Sequence, residues 1–558
     1  MTLFYYVPMQ ELHSILHSLT SAEWHSFQNY LTCFSSHSPE NIKQLQLAKL
    51  LMQAETCPEQ DACRIIIYGT KEDICFDILK SALKEKTLDF LLTDISCDKK
   101  QELDEADYAI IKMKKKSAQF QQLYYSKKRN LLFYSLLDEI IFLSKEYEQY
   151  SLLVEHLRLK KALVSWKKGK EEFRKVSEQM KKYFLFNEIV NKAEHYYYEL
   201  NMMNEYCGKQ DVEMKQQFLK KAIIGLQDGY EQTKSALVNY HLKFLEIEYY
   251  QMQNNYSKGR SVCLEWLDVV RKNKSVYRRQ RVGVVYDNLS RCEFYMGHYR
   301  QAREWAREAQ KHFNAGSENY CIALEQEFYA LFAMEQYGEA ITIAEKMISS
   351  ATRKELGEFR DAKYHYLLAN ALFKKERFRE ALNLLSTERS LSQDKAGWET
   401  GARTLKIMTL IEMNLWDEAS LAVHSLKQFF HYTEKNGTPV SPRDKKILNL
   451  LLIAERKGFM FTLLNGSADK YMNALSPTPP NKVTESVILR TALPIREGEK
   501  KYKSSPSAGE NISSPDGRGQ EGAWQPFTHE VIPFHEWFAG KLRKRKLIER
   551  SASENPRT

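Results

Sequence analysis

The chain has 558 residues, 43% hydrophobic and 28% charged, with 22 glycines and 14 prolines. That length exceeds one compact core, and the scarcity of turn-forming residues excludes a β-rich fold and favours helix. Its 82 basic and 72 acidic residues leave a net charge of +10, too mild at this length to imply general nucleic-acid binding. Nine scattered cysteines without a CxxC pair predict reduced, mostly buried thiols and a cytoplasmic setting. The opening MTLFYYVPMQELHS has no basic segment, and Pro8 and Gln10 break its apolar run, so no signal peptide is expected. No apolar run approaches the roughly 18 residues of a membrane span, and no membrane association is predicted.

Residues 1–100 read as a helical N-terminal region without a specific helix-turn-helix signal. Within it, SLTSAEWHSFQNYL predicts a capping box, with Thr20 at the helix N-terminus and Glu23 reaching back, followed by a stripe of Trp24, Phe27, Tyr30 and Leu31. His13 and His17 stand one turn apart, but two ligands do not make a metal site, and Cys57 and Cys63 flank PEQDA without a partner set. Residues 101–275 carry long Lys- and Tyr-rich helical patterns with short polar breaks, which predict degenerate helical hairpins. The KMKKK run at 112–116 reads as a solvated helix face.

Residues 276–475 contain a repeat. The tetrad aromatic-x-x-Ala recurs as Tyr299–Ala302, Tyr337–Ala340, Phe378–Ala381 and Trp416–Ala419, with Glu or Gln before each alanine. Tyr256–Gly259 is a degenerate upstream copy. The spacing, together with Leu289, Ser290 and Gly297 in one unit and Leu368, Ala369 and Ala371 in another, resembles the tetratricopeptide repeat (TPR) family. The layout also resembles bacterial TPR proteins of uncharacterised role, from which no activity carries over. The period exceeds the family's usual 34 residues, and Glu376 and Asn414 stand where Gly is usual. The resemblance implies an all-α fold: a right-handed superhelix of TPR-like hairpins whose close helix crossings need small residues. An N-terminal helical region would precede it, and a C-terminal helix would follow after a flexible linker.

That linker is expected at 476–525, where Pro, Ser and Gly replace large apolar residues. Residues 526–558 predict a basic amphipathic helix, with Phe534, Trp537 and Phe538 on its apolar stripe and Lys541, Arg543, Lys544, Arg545 and Lys546 in its tail.

No phosphate-binding Gly-rich loop, HExxH or GxSxG stands in the sequence, so neither an enzyme nor a cofactor nor a catalytic or metal residue is predicted. Equivalent first-helix positions, Arg291, Tyr329 and Asn370, and three residues later Phe294, Phe332 and Phe373, are candidates to line a concave groove for a protein or peptide. The three phenylalanines read more readily as inter-repeat core, and Arg291, Tyr329 and Asn370 as groove. Two readings of the basic tail stay open, a cap on the last hairpin or a tethered recognition helix. The function predicted is a non-catalytic scaffold, and the alternative is a nucleic-acid-associated regulator using the tail or the N-terminal helices. Oligomeric state is not legible.

Overall fold

A computed structural model describes residues 8–33, 38, 41–70, 75–93, 103–127, 131–167, 169–206, 212–351, 357–387, 397–437, 440–461, 464 and 531–542. The fold is all-α, a TPR-like superhelix in its repeat region. Two compact units divide the chain, residues 1–143 and 144–558. The expected linker at 476–525 and the tail residues Arg543, Lys544, Arg545 and Lys546 lie outside the described residues.

The first unit contains α1 (Met9–His17), α2 (Ser21–Cys33), α3 (Lys43–Gln53), α4 (Gln60–Tyr68), α5 (Cys75–Thr93), α6 (Glu105–Tyr125) and most of α7 (Leu131–Glu146). The capping box forms: the Thr20 N–H donates to Glu23 Oε2 at 2.8 Å and the Glu23 N–H to Thr20 Oγ1 at 3.3 Å. Phe27 and Leu31 of α2 are fully buried with Leu12 and Leu16 of α1. His13 and His17 serve the fold. Their Nε2 atoms bond the carbonyls of Ala54 and Leu51, both at 3.0 Å, and satisfy the end of α3.

The second unit continues with α8 (Tyr150–Lys167), α9 (Gly169–Tyr206), α10 (Val212–Thr233), α11 (Ala236–Met252) and α12 (Tyr256–Lys272). Further hairpins follow as α13 (Arg279–Tyr295) with α14 (Tyr299–His312), α15 (Glu318–Ala333) with α16 (Tyr337–Ala351), α17 (Gly357–Lys374) with α18 (Phe378–Ser386), and α19 (Trp398–Glu412) with α20 (Trp416–Lys435). Then come α21 (Pro442–Glu455) and a last helix, α22, at 534–542. From α11 to α21 each helix packs on the next.

One local device closes the hairpins. A single residue in each turn takes the left-handed conformation: Asn254, Gly297, Glu335, Glu376 and Asn414, with φ of 55°, 83°, 60°, 59° and 58°. The following N–H then bonds a carbonyl five residues back, as from His298 to Glu293 at 2.9 Å and from Arg377 to Leu372 at 3.0 Å. Glu335, Glu376 and Asn414 thus do the work of glycine at the modest steric cost of that region. Five residues beyond each left-handed position stands the small residue of the second helix: Gly259, Ala302, Ala340, Ala381 and Ala419. The four alanines are fully buried, and a Cβ on Gly259 would meet Cys292 Sγ at 3.2 Å. Close approach is visible directly where Ser290 Oγ donates to the Ala302 carbonyl at 2.7 Å, joining α13 to α14.

Candidate partner-binding site

The first helices form the inner layer of the array. In α13 every residue from Val285 to Phe294 is buried, and α15 is buried from Ala323 to Leu331, whereas on α14 only Ala302, Ala306 and Ala309 are. Second helices therefore carry the outer, solvated face.

Polar pairs run from one first helix to the next. Gln251 Nε2 of α11 donates to Asn288 Oδ1 of α13 at 3.0 Å, and Arg291 Nη1 donates back to Gln251 Oε1 at 3.3 Å. Arg360 and Lys363 of α17 bond Glu318 and Glu325 of α15. Arginines of second helices clamp the layer from outside. Arg260 pairs with Glu293 at 2.5 Å, and Arg307 with Glu327 at 2.6 Å, both glutamates being only 2% exposed. Burial pushes the Asp287 carboxyl up to about 6; Arg291, at 3.2 Å, opposes that shift, and Glu325 adds to it.

The six candidate groove residues sit in this packing. Phe294 meets Tyr299 at 5.1 Å between ring centroids, Phe332 meets Tyr337 at 5.1 Å and Phe373 meets Phe378 at 5.3 Å. These pairs wedge the two helices of each hairpin. Arg291, Tyr329 and Asn370 are 3%, 4% and 1% exposed between neighbouring first helices. Asn370 Nδ2 donates to the Tyr366 carbonyl at 2.8 Å, while its Oδ1 has no hydrogen-bond partner in the described structure. The groove expected at Arg291, Tyr329 and Asn370 is not open at these positions, because the close spacing of the first helices covers them.

What does lie on the inner layer is the chain's own C-terminal segment. Val531, Ile532, Phe534 and Phe538 are buried in one core with residues of α15 to α21. Ile532 closes a small cleft lined also by Asn370, Thr400, Thr404, Met408 and Asp444. Phe461, following α21, packs on Phe538 at 5.3 Å and on Trp537 at 6.1 Å. Glu412, at the end of α19, uses both oxygens: Oε1 accepts from Trp537 Nε1 and Oε2 from Lys541 Nζ, each at 2.7 Å. Arg443 Nη2 lies 3.1 Å from His535 Nδ1. A guanidinium only donates, so that nitrogen is the acceptor and the docked ring carries its proton on Nε2. Lys541 is thus engaged with a carboxylate of the array.

The aromatic-x-x-small tetrad and the left-handed turn share one register through four hairpins, and the aromatic wedge accompanies them in three. The family described as "Anaphase-promoting complex, cyclosome, subunit 3" matches residues 333–425, the stretch that contains three of the tetrads. The fold of the array is TPR-like. No curated protein matches the sequence. Among solved structures, the chain is similar at 12% identity to a Signal Transduction ATPase with Numerous Domains (STAND) protein with a tetratricopeptide repeat sensor from Pyrococcus horikoshii. That likeness covers 83% of this chain and 75% of that one, with a TM-score of 0.33. It is similar at 11% identity to the apo form of RapI, covering 80% and 97% with a TM-score of 0.30. The yeast Sti1 TPR2AB domain, in its complex with pHSP90, is similar at 12% identity over 49% and 98%, with a TM-score of 0.20. These likenesses carry no activity, ligand or partner to this chain.

The tetratricopeptide-type register also extends to a copy that a search for alanine misses. Glu148 takes the left-handed turn at φ 51°, Tyr150 follows two residues on, and fully buried Leu153 occupies the small-residue position. Among the described residues no three His, Cys, Asp or Glu side chains are grouped to hold a metal, and no helix is long and apolar enough to cross a membrane.

Proposed function

We propose that this tetratricopeptide-type array is a non-catalytic scaffold that holds a protein partner as a short amphipathic helix laid on its first helices. The observation that carries this reading is α22. The surface around Glu412, Arg443 and Phe461 already accepts a helix presenting Phe534, Trp537 and Phe538, and it satisfies that helix's indole N–H and lysine. Helix-in-groove recognition uses such anchors, with aromatic residues at i, i+3 and i+4 and a polar contact that fixes direction. In the isolated chain α22 fills this place, and a partner helix of like chemistry competes with it.

The test uses α22 itself as probe. A labelled peptide of residues 528–546 is titrated by fluorescence anisotropy against the chain ending at residue 525 and against the full chain. The expected result is saturable binding to the shortened chain, at least tenfold weaker to the full chain and weakened again by Glu412→Lys. Absence of binding to the shortened chain, or binding indifferent to Glu412→Lys, would contradict the proposal.

A further inference from the structure

Three successive first helices, α17, α19 and α21, contribute to the small cleft beneath the segment that leads into α22. Asn370 of α17, Thr400 and Thr404 of α19 and Asp444 of α21 line it together with apolar side chains, and Ile532 closes it. Thr400, Thr404, Met408 and Glu412 recur every four residues, so one face of α19 runs from the cleft to the carboxylate that binds Trp537 and Lys541. Thr400 and Glu412 stand about 18 Å apart along that helix, at 1.5 Å per residue. Cleft and carboxylate thus belong to one docking surface.

Asn370 is the group that this surface leaves incomplete. It is 1% exposed. Its Nδ2 donates to the Tyr366 carbonyl one turn back at 2.8 Å, and that bond fixes the orientation of the amide, because its oxygen has no proton to give to a carbonyl. The amide's other end, Oδ1, is buried and accepts no hydrogen bond in the described structure. Neither threonine of the cleft bonds it, Asp444 is itself an acceptor and takes the Ser441 hydroxyl at 2.7 Å, and Ile532 carries only hydrocarbon. An acceptor buried in this way costs about tenfold in the equilibrium that buries it. The cleft lacks a donor.

We infer that the cleft is a selectivity subsite, and that the partner helix preferred by this surface carries a hydroxyl where α22 carries Ile532. The partner's pattern is then Ser or Thr two residues before the first aromatic anchor, with further aromatics three and four residues after that anchor. This inference rests on the scaffold reading above and names the chemistry of its partner. Threonine has the outline of valine, so it enters a place that admits a β-branched side chain and brings an O–H for Asn370 Oδ1. A lysine would bring a donor too, but its charge is costly to desolvate in so closed a place. The poorer match of Ile532 suits a segment of the same chain. Covalent connection supplies a high effective concentration, so the covering segment docks without satisfying Asn370 and yields to a ligand that does.

The test compares Ile532→Val with Ile532→Thr in the full chain, two variants that differ by a hydroxyl in place of a methyl. Amide hydrogen exchange at residues 534–542 reads the docking of α22. In a wholly apolar site the hydroxyl weakens docking about tenfold; here Ile532→Thr is expected to protect the helix about threefold more than Ile532→Val. In the Asn370→Leu chain the order reverses, which separates a bond to Asn370 from any effect of the hydroxyl within its own helix. Circular dichroism checks that Asn370→Leu is folded, and the comparison on the unaltered surface decides without it. Labelled peptides of residues 528–546 bearing the same two substitutions, titrated against the full chain, are expected to bind in the same order. Docking by Ile532→Val as good as or better than by Ile532→Thr overturns the inference, and so does a preference for the hydroxyl that persists in Asn370→Leu. If neither peptide binds while exchange keeps the expected order, the scaffold reading fails and the cleft's preference stands. If both peptides bind with the order reversed, the scaffold reading stands and the subsite is refuted.

Discussion

Folding alters the chemistry of His241 strongly. It is 6% exposed, its ring lies 5.2 Å from that of Tyr197 and 5.3 Å from that of Tyr240, and its Nδ1 has no hydrogen-bond partner in the described structure. Burial, with the Arg281 charge adding to it, pulls its pKa down to about 3 from 6.5. The unfolded chain therefore takes up this proton first as pH falls, and the stability held by neutral His241 is lost between about pH 6.5 and pH 3. By pH 5 the loss from this residue is about 2 kcal/mol. Chemical denaturation at pH 7.5 and pH 5 checks it: His241→Phe, which keeps an aromatic ring, should lose less stability across that interval than the unaltered chain. Equal losses would contradict the assignment. Nothing in the sequence marked this histidine, because a helix pattern records which face a residue occupies and not how much of that face the neighbouring helix covers. Arg291, Tyr329 and Asn370 went the same way: their helices were legible, and their burial between first helices was not.

At the scale of the helix, the alanines and the aromatics before them were readable because both requirements are local. A crossing that close admits only a small side chain, and the turn before it needs a wedge. Ala381 is fully buried in α18, between α17 and α19. Ala381→Arg is expected to destabilise the chain by about 1–3 kcal/mol or more, through overpacking and a buried charge, and a thermal melt measures it. An unchanged melting temperature would remove the packing argument. The left-handed turns at Glu335 and Glu376 were harder to see, since neither residue announces a positive φ; only the fixed interval to the next alanine identifies them. The cap on α11 was not legible at all. Glu148 Oε1 accepts from the Ala236 N–H at 2.9 Å, and Oε2 from the Leu237 N–H at 3.0 Å and the Ser235 hydroxyl at 2.5 Å. A carboxylate placed there satisfies orphan donors and the positive end of the helix dipole, but its partners lie almost ninety residues downstream, beyond any local pattern.

Within the second unit, the repeat sets a layer of buried first helices joined by polar pairs, and the chain's own last helix lies on the part formed by α19 and α21. The aromatic stripe of α22 was visible in the sequence as a helix in search of a surface, yet the surface itself is assembled from Glu412, Arg443 and Phe461, which share no motif. Stacked hairpins there make a face that holds the chain's own last helix. Amide hydrogen exchange on the full chain examines that docking. Residues 534–542 should exchange far more slowly than a short solvent-exposed helix, and Glu412→Lys with Trp537→Ala should abolish that protection while leaving α13 and α14 unchanged. Rapid exchange at 534–542 in the unaltered chain, or protection that survives both substitutions, would contradict it.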